Sequence, residues 1–318
     1  NVIEKFDELN TVKNLVSNVS AFITIQEGCD KFCNFCVVPY TRGPEYSRSS
    51  KEIVNEINTL ISNGAREITL LGQNVNAYRS KNNGELIKLS GLIKKINDLN
   101  NLKRIRYTTS HPKDMSEDLI NCYKKTSKLM PFIHLPVQSG SDKILKKMNR
   151  KHTIKDYMKI VEKLKNINPE INFSSDFIVG YPGETDKDFK ETLSLINKVK
   201  FINSYSFIYS PRPGTPASNL KPLDEKVKKE RLIILQNLLQ NIQIKKNASE
   251  VGKFKEVLVE NKLKNQNKYF GRTKDLTPTI IQGSTDEDIG NLVSIKIDNY
   301  NQNSFFGVKK TTNSGAAA

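Results

Sequence analysis

Between residues 21 and 209 the chain alternates short apolar runs with longer segments in which apolar residues recur every three or four positions. The short runs predict β-strands and the longer segments predict amphipathic helices, so the alternation indicates a parallel sheet covered by helices. Six β–α units fit a partial (β/α)6 barrel, because a complete eight-fold barrel would need two more units. The predicted strands are Ala21–Gln26, Glu67–Leu71, Arg104–Thr108, Phe132–Val137, Ile171–Val179 and Phe201–Tyr209.

A Ser or Thr followed three residues later by an acidic residue marks the start of three predicted helices, at Ser49, Thr153 and Thr185. This pattern is a capping box, in which side chains satisfy the first backbone N–H groups of a helix. A longer helix is predicted from about Asp224 to Ala248, and Gly252 follows as a natural break.

Residues 251–313 have a different pattern, with short strands separated by Asn, Gly and Asp turns. Such strands predict a small closed antiparallel barrel of the OB type. The fold class is therefore α/β, with a partial barrel followed by a small all-β domain. We expect a linker remnant at 1–14, the barrel domain at 15–248, the β domain at 250–313 and a tail at 314–318. The predicted strands of the β domain are Phe254–Val259, Lys268–Arg272, Thr279–Gln282 and Leu292–Ile297.

The composition suggests a polyanionic partner, because the 318 residues carry a formal charge of +16. The charge is not concentrated in residues 251–318, which hold ten Lys/Arg and seven Asp/Glu. Charge alone therefore leaves nucleic-acid binding open. No run approaches the roughly 18 apolar residues of a membrane span, so we expect a soluble protein without a membrane partner. Free cysteines and the lack of a targeting segment predict the cytoplasm.

Three cysteines, Cys29, Cys33 and Cys36, form a CxxxCxxC pattern on one predicted loop. Cysteine thiolates are the usual ligands of iron–sulfur clusters. A four-iron cube held by three thiolates keeps one iron open, and an open position distinguishes a reactive metal site from a structural one. A structural zinc site would need a fourth ligand, for which Cys122 and the three unpaired histidines are poor candidates. Four cysteines are also too few for a disulfide framework.

The motifs that surround the cysteines occur in a specific order. With them the sequence resembles the radical S-adenosylmethionine methylthiotransferases, most of all the bacterial enzymes that methylthiolate isopentenyl-adenosine in tRNA. The resemblance covers about residues 15 to 313. The matching stretches are Glu27–Gly43, Leu70–Tyr78, Thr108–Pro112, His134–Ser141, Ser174–Thr185 and Ser204–Ile208.

The resemblance implies one 4Fe-4S cluster on Cys29, Cys33 and Cys36, with S-adenosylmethionine chelated at the free iron. Reductive cleavage of this cofactor would give a 5′-deoxyadenosyl radical, and no catalytic residue beyond the cluster is expected. Simple loop packing is the alternative for Phe35, a loop turn for residues 72–74, and a structural role at the barrel rim for Asp176. The implied cofactor-binding residues are Phe35, Gly72, Gln73, Asn74, Gln138, Ser139, Asp176 and Gly180.

Two arginines are candidates for binding the substrate. Arg42 could meet an RNA phosphate or a cofactor carboxylate, with a surface ion pair as the alternative. Arg212 lies in a loop after the sixth strand. We interpret His111 and His134 as hydrogen-bonded structural residues, since the radical mechanism requires neither.

The resemblance also implies the partners. The β domain at 250–313 would be a TRAM module that binds tRNA, with a solubilising cap on the barrel as the alternative. An electron donor and a sulfur source remain unidentified, and we expect a monomer. The family carries a second 4Fe-4S cluster in an N-terminal domain. No cysteine precedes Cys29 and the chain begins with Asn1, so we expect this domain to be absent and the enzyme to be incomplete as given.

Two other functions stay open at this point. One is a sister methylthiotransferase that acts on threonylcarbamoyl-adenosine or on a ribosomal protein aspartate. The other is a non-catalytic RNA-binding protein with a fully ligated metal. The preferred hypothesis is methylthiolation of carbon 2 of N(6)-isopentenyladenosine at position 37 of tRNA.

Overall fold

The computed structural model describes residues 19–82 and 84–310, so the predicted linker remnant and tail lie outside the described residues. Its strands are β1 (Ser20–Thr24), β2 (Gln26–Glu27), β3 (Tyr46–Ser47), β4 (Glu67–Leu71), β5 (Arg79–Asn82), β6 (Glu85–Lys88), β7 (Arg104–Tyr107), β8 (Phe132–His134), β9 (Asn172–Ser174), β10 (Asp176–Val179), β11 (Tyr205–Ile208), β12 (Phe254–Lys262), β13 (Tyr269–Thr273), β14 (Pro278–Gln282), β15 (Leu292–Tyr300) and β16 (Phe305–Lys309). Its α-helices are α1 (Val38–Arg42), α2 (Ser50–Ser62), α3 (Leu89–Asn97), α4 (Glu117–Lys125), α5 (Asp142–Lys147), α6 (Ile154–Ile167), α7 (Asp186–Val199) and α8 (Glu225–Ala248).

The first domain is a partial parallel barrel, as predicted. β4 pairs with β1 on one side and with β7 on the other, β8 pairs with β9, and β10 pairs with β11, all in parallel. The Ile105 N–H donates to the carbonyl of Lys128, and the Met130 N–H donates to the carbonyl of Ile105. These bonds join β7 to the segment before β8. Among the described residues no pairing joins β1 to β11, so the barrel is open between these two edge strands.

Two predicted strands are shorter than the apolar runs that predicted them. The run Ile171–Val179 gives two strands, β9 and β10, separated at Ser175, whose hydroxyl accepts a hydrogen bond from the Val137 N–H. The run Phe201–Tyr209 contributes only β11. Asn203 takes a positive φ of 47° and turns the chain before that strand.

Helices α2 to α4 and α6 to α8 cover the outer face of the sheet, and their apolar sides form one core with it. Ile144 of α5 belongs to a separate small cluster. The capping boxes at Thr153 and Thr185 are both present. Ser49 does occupy the N-cap of α2, but its side chain makes no capping hydrogen bond. The predicted box at this helix is therefore wrong, and the first N–H of the helix, that of Ser50, donates to the Ser80 hydroxyl of β5.

The C-terminal residues form a closed barrel with the strand order β12-β13-β14-β16-β15, which confirms the predicted small OB-like domain. It has its own core, which includes Val257, Ile281 and Phe305. Its fifth strand, β16, was not among the predicted strands. No helix of the described residues is both long enough and apolar enough to cross a bilayer.

The two domains are joined by buried charges at the start of β4 and β7. The Glu67 carboxylate lies 3.0 Å from Nε of Arg106 and 4.0 Å from Nη1 of Arg104. Arg104 donates to the carbonyl of Arg272 at 2.7 Å, and Arg106 donates to that of Lys274 at 2.7 Å. The turn after β13 therefore packs against the N-terminal end of the parallel barrel, opposite to the end where the cysteines lie.

Candidate functional site

The cysteine loop, residues 28–36, begins where β2 ends, at the C-terminal end of the first barrel strand. This is the end at which parallel barrels bind their ligands. Gly28 has a φ of +78°, and a Cβ there would lie 2.0 Å from the carbonyl oxygen of Pro44. The Cys29 N–H donates to the carbonyl of Gly43 at 3.2 Å. The loop can therefore fold back against residues 43–44 only with a glycine at position 28.

The three thiols of the loop are free and close enough to influence one another. Cys33 is buried, and Cys29 and Cys36 are half-buried. The pKa of Cys29 is raised to about 11, mainly by burial and with smaller contributions from the charges of Glu45, Cys33 and Cys36. Burial also raises the pKa of Cys36. A metal group that binds these cysteines must displace their thiol protons and compensate the thiolates with its own positive charge.

The donor set of the loop consists of three cysteine thiols. Within residues 19–82 and 84–310 no three His, Cys, Asp or Glu side chains converge on one point as the ligands of one ion do. A 4Fe-4S cube takes each thiolate on a different iron, so its cysteines are spread around it. Three sulfur donors spaced along one loop suit that arrangement.

A buried arginine from the segment after α5 contacts the loop. Nη1 of Arg150 lies 3.7 Å from Sγ of Cys33, and Nη2 donates to the carbonyl of Pro136. The loop is also bound to the end of α5, because Nδ2 of Asn34 donates to the carbonyl of Lys147 at 2.7 Å. Positive charge beside the thiols offsets the negative charge of a thiolate-bound cluster.

Gln73 and Asn74 lie just after the end of β4. Gln73 hydrogen-bonds to the cysteine loop, and Asn74 hydrogen-bonds to two nearby carboxylates. Oε1 of Gln73 accepts from the Gly28 N–H at 2.7 Å. Nδ2 of Asn74 donates to Glu45 at 2.9 Å and to Asp114 at 2.8 Å. Oδ1 of Asn74 is buried with no hydrogen-bond partner in this structure. An unpaired buried acceptor costs free energy, so it fits a ligand that brings a donor such as an ammonium group.

Gly72 and Phe35 both pack closely against other residues of the chain. A Cβ at position 72 would lie 2.7 Å from the carbonyl oxygen of Gln26, so close packing of the backbone explains this glycine. Phe35 is half-buried and packs against the cluster of Ile144, Met148, Tyr181, Tyr209 and Ala217. This contact matches the packing alternative for Phe35. The exposed part of the Phe35 side chain is accessible to a ligand.

The remaining cofactor candidates occupy the ends of β8 and β10. Gln138 has a positive φ of 75°, and its backbone pairs with Asp176 and Ile178. Ser139 is fully buried, and its hydroxyl lies 3.4 Å from that of Thr192 on α7. Its side chain therefore faces a helix. Gly180 has a φ of +71°, and a Cβ there would lie 2.3 Å from Lys228.

Asp176 belongs to a short polar chain. Its Oδ2 lies 3.6 Å from Nε2 of His134, and Nδ1 of His134 lies 3.0 Å from the Ser174 hydroxyl. His111 is also hydrogen-bonded, since its Nδ1 accepts from the Lys113 N–H at 3.1 Å. Burial lowers the pKa of His111 far below its ordinary value. Both histidines thus have the structural contacts that the sequence predicted.

The two candidate arginines lie on the surface. Arg42, at the end of α1, forms an ion pair with Glu27 at 3.1 Å, which is the alternative considered for it. Arg212 is exposed, and its carbonyl accepts from the Thr215 N–H and hydroxyl. The sequence did not reveal Arg150, Glu45 or Asp114, because each reaches the site from a distant part of the chain.

Comparison with known proteins agrees with the two domains of this fold. The family model of the Radical SAM superfamily matches residues 23–196, and that of the TRAM domain matches residues 248–310. The fold also resembles coproporphyrinogen III oxidase from Escherichia coli, described as a radical SAM enzyme. The TM-score is 0.52 at 12% identity, over 83% of this chain and 69% of that chain. At this identity the likeness concerns the fold alone.

Curated relatives are much closer in sequence. The tRNA-2-methylthio-N(6)-dimethylallyladenosine synthase of Pelagibacter ubique is 61% identical over 305 residues, which are 96% of this chain and 68% of the relative. The synthase of the same name from Wolbachia pipientis subsp. Culex pipiens is 51% identical, over 96% of this chain and 70% of the relative. The chain therefore belongs to the radical S-adenosylmethionine superfamily and, within it, to the family of tRNA-2-methylthio-N(6)-dimethylallyladenosine synthases.

Proposed function

We propose that this chain carries the radical chemistry that methylthiolates carbon 2 of N(6)-isopentenyladenosine at position 37 of tRNA. The name of the two relatives describes the product of this reaction. The observation that carries the proposal is the loop of three free thiols, Cys29, Cys33 and Cys36, at the ligand-binding end of a partial parallel barrel. Family membership implies a 4Fe-4S cluster and S-adenosylmethionine.

In this proposal the three cysteines hold one 4Fe-4S cluster. The positive charge of Arg150, beside the buried Cys33, offsets the added negative charge. Gln73 fixes the start of the loop through its hydrogen bond to Gly28. A bound cluster would supply the electron that cleaves S-adenosylmethionine, and the protein orients the reacting groups.

The cofactor would lie between the loop and the ends of β4, β8 and β10. The unpaired Oδ1 of Asn74 would accept from the ammonium group of the methionine part. Phe35 would contact the adenine, and Asp176 would accept hydrogen bonds from the ribose hydroxyls. Gly72, Gln138 and Gly180 would give backbone contacts. Ser139, buried against α7, would support Gln138 from behind.

The tRNA would contact the C-terminal barrel, which the TRAM family model matches. Phe254 and Phe306 are exposed on its outer face, and Nζ of Lys310 lies 5.4 Å from the Phe254 ring centre. Exposed rings and lysines together are typical of surfaces that bind RNA. Arg42 and Arg212 would add phosphate contacts near the cluster end. The protein would act as a cytoplasmic monomer, with an electron donor and a sulfur source still to be identified.

Spectroscopy of the anaerobically reconstituted chain tests this proposal. We expect iron and sulfide in the amounts of one cube, and an EPR signal that changes when S-adenosylmethionine is added. Cys36→Ser should lose this signal. Cys122→Ser is the matched control, because that thiol is buried on α4 away from the loop. A signal that ignores the cofactor, or a bound zinc ion, would refute the proposed chemistry.

Nucleoside analysis tests the substrate. A strain that lacks the gene should lose 2-methylthio-N(6)-isopentenyladenosine from its tRNA and accumulate N(6)-isopentenyladenosine. Mass spectrometry of digested tRNA measures both. Loss of a methylthiolated threonylcarbamoyl-adenosine or of a modified ribosomal protein aspartate instead would assign the chain to a sister activity.

A further inference from the structure

Two large aromatic side chains of β11 are exposed. Tyr205 is 60% and Phe207 is 54% exposed, and they alternate with Ser206 and Ile208. Ile208 packs against the main core. Because side chains alternate along a strand, both rings lie on the opposite side of β11 from Ile208, and both line a groove at the edge of this strand. Two exposed rings on one strand indicate a contact surface.

β11 is an edge strand that pairs, within the described residues, only with β10. A groove of about 400 Å³ runs along its unpaired edge. β11 forms one wall, α8 forms the other, and the turn between β15 and β16 closes one end. The groove therefore connects the C-terminal barrel with the opening of the partial barrel. The polar residues that α8 and this turn contribute include Gln236, Gln240, Gln302 and Asn303.

Hydrogen bonds fix the turn on the helix. Nε2 of Gln240 donates to Oε1 of Gln302 at 2.9 Å. Nδ2 of Asn247 donates to the carbonyls of Asn301 at 2.9 Å and Gln302 at 3.1 Å. The walls of the groove are thus held in place before any ligand binds, which lowers the entropic cost of binding.

The lining has the chemistry of a site for unpaired nucleobases. All twelve lining residues are uncharged, and amides, hydroxyls and aromatic rings predominate. Aromatic rings stack on the faces of bases in single strands. Amide side chains both donate to and accept from base edges. Phosphates would stay outside the groove, where the net charge of +16 favours them.

We infer that this groove binds unpaired nucleotides of the tRNA anticodon loop, with bases stacked on Tyr205 and Phe207. The inference rests on the proposed tRNA substrate. The ring of Tyr205 lies 6.4 Å from that of His134, whose Nε2 is 3.6 Å from Asp176. A base on Tyr205 thus lies beside a candidate cofactor residue. The groove leads the RNA from the C-terminal barrel to the reacting centre.

Binding of an anticodon stem–loop to the full chain tests the inference. The RNA carries 2-aminopurine beside the target adenosine, and its fluorescence should fall when that base stacks on a ring. The double variant Tyr205→Ala with Phe207→Ala should bind at least about tenfold more weakly and lose the quenching. The swap Tyr205→Phe with Phe207→Tyr should restore both. Leu86→Ala, also at an exposed apolar residue, is the control for nonspecific effects.

A second variant separates RNA from a peptide ligand. Gln236→Glu places a negative charge in the groove, so it should weaken RNA binding more strongly at low salt. A groove for a neutral peptide would not show this salt dependence. Unchanged stem–loop affinity in the double alanine variant would overturn the inference, even if the chain cleaves S-adenosylmethionine. Ring-dependent RNA binding by a chain that holds no cluster would instead support the groove and refute only the proposed chemistry.

Discussion

Nη1 of Arg150 lies 3.7 Å from Sγ of Cys33, and both residues are buried. The guanidinium is 5% exposed and also donates to the carbonyl of Pro136. A fixed positive charge at this distance favours negative charge on the sulfur and on anything bound to it. The arginine therefore adjusts the electrostatics of the proposed cluster without being one of its ligands.

Replacing this arginine should affect cluster properties. Arg150→Gln removes a positive charge that favours the reduced cluster, so we expect a more negative reduction potential and less iron per chain. An EPR-monitored redox titration and an iron assay measure the two effects. The exposed Arg79, changed to Gln, should alter neither. Equal potentials for Arg150→Gln and the unmodified chain would contradict the role of this charge.

Gln73 should matter for the loop even before a cofactor binds. Gln73→Ala leaves the buried Gly28 N–H without its acceptor, at a cost of about 1–3 kcal/mol in the free energy of unfolding. Gln73→Glu keeps an acceptor oxygen and should recover most of this loss. Urea unfolding of the apo chain measures both variants. Equal stability of Gln73→Ala and the unmodified chain would show that the bond at 2.7 Å is energetically neutral.

The buried carboxylate of Glu67 should be important for stability. Glu67→Gln leaves the guanidiniums of Arg104 and Arg106 without their shared buried counter-charge, so we expect a loss of about 3–5 kcal/mol. The matched variant is Glu256→Gln, because Glu256 pairs with Arg104 at 3.4 Å but is 40% exposed. It should cost about 1 kcal/mol or less. Urea unfolding would contradict this argument if both variants were equally stable.

Glu250 should make stability depend on pH in the acid range. Burial opposes its ionisation, but the ammonium groups of Lys246 and Lys255 outweigh this and lower its pKa from 4.5 to about 2. Because the folded-state pKa is depressed, the stabilisation is present above about pH 4.5 and is lost as the pH falls toward 2. It amounts to about 3 kcal/mol at most.

Thermal unfolding between pH 7 and pH 2 checks this prediction. Glu250→Gln should lower the melting temperature at pH 7 and flatten its decline below pH 5. Glu230→Gln, at an exposed glutamate of α8, the helix that ends just before Glu250, should leave the profile unchanged. A profile for Glu250→Gln parallel to that of the unmodified chain would count against the lysine contacts.

The sequence predicted both domains, and local patterns explain why. The buried face of α2, formed by Ile53, Ile57 and Ile61, is visible as a helical repeat. β16 was missed because Gly307 interrupts its apolar run and resembles a turn. In the fold a Cβ at this position would lie 2.2 Å from the carbonyl oxygen of Lys296. The glycine there permits close packing of neighbouring strands, which depends on the partner strand and not on local sequence.

The residues of the candidate site also fall into two groups: those that local sequence indicates and those that only the tertiary fold brings in. The cysteines share one loop, so their spacing alone predicted them, and Gln73 and Asn74 were predicted through the family resemblance. Arg150 reaches Cys33 across 117 positions of the chain, and no local pattern marks it. Asp114 reaches Asn74 across 40 positions. Such contacts follow from the closure of the barrel, which residue spacing does not encode.

Arg104 and Arg106 donate to main-chain carbonyls at the end of β13 and in the turn that follows it. Every amino acid carries such a carbonyl, so these bonds specify the path of the turn and not its side chains. Mutations in the turn that preserve this path should be tolerated during evolution. An RNA-binding module taken from a distant homologue with the same turn should therefore be interchangeable, which makes the C-terminal barrel a natural point for building chimaeras with altered tRNA preference.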